Sequence, residues 1–252
     1  IVGAGAAGLA AAVEAVENGA ESVIIIEKTA TTGGSLNFTS GSMSGAETII
    51  QQIDGVADTK ESYVQDILKN GANLGDEELI RAYVEEDVAA IQWLWDNGLS
   101  DNKFSVDRAT GTMSVFAPEH ALYSIPRTYK ASAHDATKYK SAAHEILDTV
   151  VKGEAKIAID FQTEAKMLVN NEAGQVLSVV AENAKGVYTN YTSNLDELNN
   201  YKNIAELTNN LLINPSFKNS ICFCAKSLHS CTIFCLSIGF ISCFIYSVLI
   251  NL

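Results

Sequence analysis

The chain opens on a glycine pattern that leaves little freedom in how its first residues fold. Ile1-Val2-Gly3-Ala4-Gly5-Ala6-Ala7-Gly8 reads as the end of a β-strand, a tight turn and the start of an α-helix. Gly3 permits the turn, Gly5 lets the backbone come close to a ligand, and Gly8 lets the helix pack tightly on the strand. The small residues from Ala6 to Ala12 keep that helix face thin. Free N–H groups at the helix start, with the helix dipole, suit a diphosphate. Glu27 closes the next apolar run, Val23-Ile24-Ile25-Ile26, roughly 20 residues further on, where an acid accepts hydrogen bonds from both ribose hydroxyls of an adenosine. Strand, turn, helix and acid-ended second strand together predict a dinucleotide site.

A chain of 252 residues, 47% of them hydrophobic, can build a sizeable core in one large domain or one and a half. Its net charge of −13 repels phosphates and argues against nucleic acid as a partner. Every cysteine lies late in the chain, at Cys222, Cys224, Cys231, Cys235 and Cys243, so the body has no disulfide framework or zinc site to build. Cys222-Phe-Cys224 with His229 lacks zinc-knuckle spacing and has apolar flanks, so no metal is expected. The chain begins inside a strand without an initiator Met. Its true start is expected upstream, and a leader is neither indicated nor excluded.

Along the chain, residues 7–18 read as a helix ended by Gly19, and 22–27 as a parallel strand buried on both faces. Residues 28–45 form a loop rich in Gly, Ser and Thr. Residues 60–71 read as a second helix and 76–97 as a third, with Asp76 as its cap and Gly98 as its stop. Ile80, Val84, Val88, Ile91, Leu94 and Trp95 recur at spacings of three and four, which predicts one buried face, with Trp93 and Trp95 in the core. Residues 99–133 read as irregular and 135–151 as a further helix. Strands over 164–170 and 175–182, with a short third over 186–191, predict an antiparallel meander. The expected organisation is a folded domain over 1–192, an Asn-rich polar linker over 193–226 and an apolar tail over 227–252. Residues 231–250 would span a membrane at roughly 1.5 Å per residue across roughly 30 Å. Lys218 and Lys226 would set the preceding flank on the cytoplasmic side. The alternative is a mistranslated stretch. The folded body is expected in the cytoplasm, and at a membrane if the tail is genuine.

Three motifs resemble the FAD-binding domain of the fumarate reductase, flavocytochrome c and urocanate reductase flavoproteins. They are Gly3-Ala4-Gly5-Ala6-Ala7-Gly8; Glu27-Lys28 followed by Gly33-Gly34-Ser35 and Ser40-Gly41-Ser42-Met43; and Gln162-Thr163-Glu164-Ala165-Lys166-Met167 with Gly174-Gln175-Val176. The resemblance covers residues 1–190 and implies an α/β fold, with a Rossmann-like parallel sheet, helices and a small antiparallel β-meander. It implies FAD as cofactor. Gly3, Gly5, Ala6, Ala7 and Gly8 would hold the pyrophosphate. Glu27 and Lys28 would flank the adenosine ribose. Gly33, Gly34, Ser35, Ser40 and Gly41 would lie along the diphosphate, ribityl and flavin, and the backbone of Ala165 would meet the adenine.

The chain departs from the family in several places. Ser42 stands where Gly is frequent, and Ala133 and His134 replace glycines after Arg127. Residues 193–197 replace the usual apolar strand and glycine turn. The capping domain, with its substrate-binding and proton-donating groups, is not present in the sequence. The implied function is the FAD-binding part of an oxidoreductase that reduces an activated alkene of a small carboxylic acid by hydride from flavin. An inactive binding-only fragment and a membrane-tethered flavoprotein are the alternatives. No catalytic residue is assigned. Arg127, His120 and His134 are the cationic or titratable groups near the expected flavin region, and are otherwise residues of a solvated loop.

Overall fold

The computed structural model describes residues 1–39, 41–105, 113, 123–171 and 176–192, together with the backbone of 221–225 and 232–236. In chain order the elements are α1 (Ala6–Glu17), β1 (Val23–Ile26), β2 (Ser42–Ser44), α2 (Ile49–Ile53), α3 (Lys60–Asn70), α4 (Glu77–Asp96), β3 (Lys103–Phe104), β4 (Thr128–Ser132), α5 (Ala142–Gly153), β5 (Ile157–Asp160), β6 (Thr163–Asn170), β7 (Val176–Asn183), β8 (Tyr188–Thr192), β9 (Ile221–Ala225) and β10 (Thr232–Leu236). The described residues fall into two compact units, one from 1–34 and those after 150, the other from 35–150.

The first unit is built on the opening glycine turn. Residues 1–3 run parallel to β1, with Ile26 N–H donating to Ile1 O at 2.9 Å and Gly3 N–H to Ile26 O at 2.8 Å. On its other side β1 pairs in parallel with β5, from Val23 opposite Ile157 to Ile26 opposite Asp160. The chain between α1 and β1 turns at Gly19, as its position after the last apolar residue of the helix predicts. Val23, Ile25 and Ile26 are buried, but Ile24 is 44% exposed, so β1 is not covered on both faces as its continuous apolar run suggested. Alternate strand residues point to opposite faces, and the face that carries Ile24 is left partly open. β6, β7 and β8 form the expected antiparallel meander. Tyr191 Oη donates to Asp160 Oδ2 at 2.7 Å and ties β8 to β5.

The tail does not read as the sequence suggested. β9 and β10 pair antiparallel, from Ile221 opposite Leu236 to Ala225 opposite Thr232, which places part of 231–250 in a strand. Among the described residues no helix is long and apolar enough to cross a membrane. The β-branched and aromatic residues Thr232, Ile233 and Phe234 favour a pleated conformation. The polar linker and the rest of the tail lie outside the described residues.

The second unit packs α2, α3, α4 and α5 with a small sheet of order β2-β4-β3. Ile50, Ile91, Leu94, Leu99, Tyr129, Ala131, Ala142 and Ile146 form one core cluster, against which Trp93 and Trp95 pack as expected. Asp76 caps α4, accepting the Leu79 N–H at 3.1 Å. Three strands, β2, β3 and β4, arise inside stretches that read as loops. β2 pairs with β4 through Ser42 opposite Lys130, Met43 opposite Tyr129 and Ser44 opposite Thr128. Both are short and join over a long sequence separation, so no local alternation announced them. α5 starts at Ala142 rather than Asp135. Asp135 takes the N–H and hydroxyl of Thr137 (3.1 and 2.5 Å), and Ser141 Oγ accepts the His144 N–H at 3.2 Å. These side-chain bonds stabilise a turn before the helix and then cap it.

Candidate cofactor site

The first unit brings the sequence-predicted glycines together. Gly33 bridges Gly5 in parallel, and its N–H donates to Ala4 O at 2.8 Å. A Cβ on Gly34 would lie 3.4 Å from the Gly5 Cα, so the second glycine pair is seated on the first turn. A Cβ on Gly8 would fall 1.8 Å from Gly3 O, so the start of α1 touches the turn backbone. At Gly5 the space is open: no atom lies within 4 Å of a Cβ there. α1 has no side-chain cap and no acid in its first turn. Ala6 and Ala7 present the first-turn backbone beside this opening. This set fits a diphosphate: an uncapped helix start, backbone bare at Gly5 and no acid in the first turn of α1.

Glu27 closes the site at the end of β1. It is buried, and its two oxygens are used separately: Oε2 accepts the Ala4 N–H and Oε1 the Thr29 N–H, each at 2.7 Å. The following chain runs beside it, with Thr163 N–H to Glu27 O and Gln162 N–H to Thr29 O, both at 2.9 Å. Ala165, two residues along β6, therefore lies in the same neighbourhood, opposite Ala181 and next to a bulge. An open hollow of about 550 Å³ begins at the residue after Glu27, lined by Lys28, Thr29, Gln162, Glu164, Glu182 and Asn183 among others. Lys28 is exposed at its rim. Ser35 and Gly41 belong to the second unit, where Gly41 packs on Ser141, and Ser40 lies outside the described residues.

The cationic candidates divide. Arg127 is no solvated loop residue: it is wholly buried. Its Nε and Nη2 reach Asp58 at 2.5 and 2.6 Å, Nη1 reaches Asp66 at 2.5 Å and Nη2 also donates to Ser62 Oγ at 2.8 Å. Its guanidinium stands 4.9 Å from the ring centre of Tyr63. Burial would depress its pKa, but the two aspartates outweigh that and hold it above the ordinary value. Arg81 is also committed, to Glu61 and Glu77 on the surface at 2.7 Å each. The His134 side chain is 61% exposed, with Nδ1 3.4 Å from Glu145. His120 and Arg108 lie outside the described residues. The sequence reading missed Asp58 and Asp66 as the partners of Arg127, since nothing in their spacing ties them to a residue some sixty positions later.

A strand, a glycine turn against a helix start, and an acid at the end of the next strand define a nucleotide-binding βαβ unit. The family model described as FAD binding domain matches residues 1–207, and the chain belongs to that family; its cofactor is FAD. It is 44% identical over 115 residues to the NADH:fumarate oxidoreductase of Klebsiella pneumoniae, covering 46% of this chain and 12% of that protein. It is 29% identical over 191 residues to a probable fumarate reductase of Shewanella frigidimarina, covering 75% and 29%. In fold it is similar to the open conformation of a flavocytochrome c3 fumarate reductase, with a TM-score of 0.63 at 24% identity, covering 76% of this chain and 31% of that one. The chain thus spans less than a third of the length of these relatives.

Proposed function

We propose that this chain is the FAD-cradling part of a flavin-dependent oxidoreductase similar to fumarate reductase. The observation that carries the reading is the contact of the two glycine motifs at Gly5 and Gly33, beside a buried Glu27. In this reading the backbone from Gly3 to Gly8, with Ala6 and Ala7 at the helix start, receives the pyrophosphate. Glu27 offers the remaining lone pair of each oxygen to the ribose diol. Lys28 flanks that ribose, and the backbone of Ala165 meets the adenine. Gly33, Gly34, Ser35, Ser40 and Gly41 follow the cofactor towards the flavin. When bound, the flavin supplies hydride for the reduction of an activated alkene in a small carboxylic acid. The residues of this chain bind and orient. Arg81 and Arg127 are both engaged by carboxylates, so neither is free to clamp a substrate.

The reading is tested by purifying the chain, reconstituting it with FAD and recording the bound-flavin absorbance, then following re-oxidation of the reduced flavin by fumarate. Stoichiometric FAD supports the cradle. FAD binding without fumarate-dependent re-oxidation would favour a binding-only module, for which the engagement of both described arginines already speaks.

A further inference from the structure

Asp87 occupies a position on α4 that the helix pattern reserves for an apolar residue. Val84, Asp87, Ile91 and Leu94 follow one another at spacings of three and four, and all are buried. Asp87 is 2% exposed. Its Oδ2 lies 3.4 Å from the backbone N–H of Ala46, and its Oδ1 is enclosed without a hydrogen-bond partner. No ion pair among the described residues includes it. The charged groups around it are engaged elsewhere. Lys60, at the start of α3, pairs with Glu85 at 2.9 Å, and Glu47 Oε1 accepts the Lys60 N–H at 3.3 Å. Asp58 and Asp66 bind Arg127, just before β4. Glu86 is exposed on α4 itself. The phenols of Tyr63 and Tyr83 meet at 3.3 Å, and Tyr129 Oη accepts from Thr48. Burial dominates these influences and pushes the Asp87 carboxyl up to about 7.

The backbone that Asp87 touches is clasped from several sides. Tyr83, one turn earlier on α4, donates its hydroxyl to Ser44 O at 3.0 Å. The Gly45 N–H donates to Arg127 O at 3.2 Å. A Cβ on Gly45 would stand 2.6 Å from Ile91 Cδ1, so this backbone rests directly on the helix. A carboxylate at Asp87 would be supported by the Ala46 N–H at 3.4 Å, by its own helix backbone at Val88 and by the field of Lys60, and burial outweighs all three. Water entering between α4 and the segment is the ready route to solvate it.

We propose that Asp87 is a positioning residue that stays buried beneath the backbone of Ser44, Gly45 and Ala46 only while neutral, and that its ionisation opens this contact to water. The segment continues directly from Gly41, Ser42 and Met43, so this opening would loosen the flavin side of the cradle; that consequence rests on the reading under Proposed function, whereas the latch does not. The folded-state pKa lies above the unfolded value of about 3.9, so the stabilising contribution is complete below that value and is lost as pH rises through about 7.

The test uses the whole chain without FAD, following thermal unfolding and the fluorescence of Trp93 and Trp95 from about pH 5 to about pH 9. The wild type should lose several degrees of Tm between about pH 5 and about 7 and level off above, its fluorescence should change with a midpoint near 7, and Asp87→Asn, which cannot ionise, should be flat in both. Asp87→Ser, smaller and uncharged, takes its place if the Asn variant does not fold. A wild-type profile without that midpoint, or a variant that keeps it, overturns the latch. FAD titration of the same samples separates the two readings. Absence of FAD binding at every pH removes the cradle and leaves the latch standing on its own midpoint. Full FAD binding with no midpoint in the apo profile removes the latch and leaves the cradle.

Discussion

Glu27 and Ala4 are joined by a 2.7 Å hydrogen bond from the Ala4 N–H to Oε2, so the acid at the end of β1 is built into the turn it would serve. Its other oxygen holds the Thr29 N–H at the same distance. Glu27→Ala should therefore do two things. Loss of hydrogen bonds to a charged group should weaken FAD by about 1–3 kcal/mol, and the buried Ala4 N–H left without an acceptor should cost about 1–3 kcal/mol of stability, the part-buried Thr29 N–H less. Flavin fluorescence titration and urea unfolding measure the two effects separately. Glu27→Gln keeps one acceptor oxygen and should fall between. Unchanged FAD affinity in the Ala variant would remove Glu27 from the cradle.

Gly5 and Gly8 separate binding from folding. Gly5 has φ −76°, which any residue adopts, and open space around a Cβ. Gly5→Ala should fold with nearly wild-type stability and lose FAD, because the new methyl stands where the pyrophosphate must approach. Gly8→Ala forces a Cβ to within 1.8 Å of Gly3 O, so α1 must move off the turn. It should lose on the order of 1–3 kcal/mol or more in urea unfolding, as overpacking of a fixed backbone contact does. Equal behaviour of the two variants in both assays would contradict the geometry at the turn.

Much of the first unit was legible because its determinants are local. The glycine spacing, the Val and Ile run ended by Glu27, and the alternating strands over 164–182 each carry their meaning within a few residues. β5 was missed although it completes the parallel sheet, since Ile157-Ala-Ile-Asp160 is too short to show a period. The second unit was less legible. β2 and β4 pair across more than eighty residues, and on α4 the sequence pattern counts Val88 in the buried stripe where the structure buries Asp87 instead. Arg127 read as a surface cation because its partners, Asp58 and Asp66, are placed by α3 and not by the neighbouring sequence.

His134 is the contrasting case. Its side chain is 61% exposed, and its Nδ1 lies 3.4 Å from Glu145 and 3.3 Å from Asn102 Nδ2. An exposed pair of this kind contributes about 0–1 kcal/mol. His134→Ala should therefore leave thermal stability close to wild type. A loss well beyond that range in calorimetry would mean that the contact has a structural role the exposed geometry does not suggest.

Arg127 is held by Asp58 and Asp66 with no exposure of its own, and removing it leaves carboxylates buried without a countercharge. Breaking a buried pair in this way costs about 3–5 kcal/mol, so Arg127→Met should lower urea-unfolding stability by that amount. Arg127→Lys restores a charge but not the two-pronged contact with Asp58, and should recover only part. The acid side of the stability profile should change as well. Burial alone would raise the Asp66 carboxyl, but Ser124 and Arg127 outweigh it and hold it below the ordinary value. Its contribution is thus complete above about pH 4 and lost as pH falls through the lowered value. In Arg127→Met part of that acid dependence should disappear. A variant with wild-type stability and an unchanged acid limb would show that the aspartates do not depend on Arg127, and would return this arginine to the list of groups free to meet a ligand.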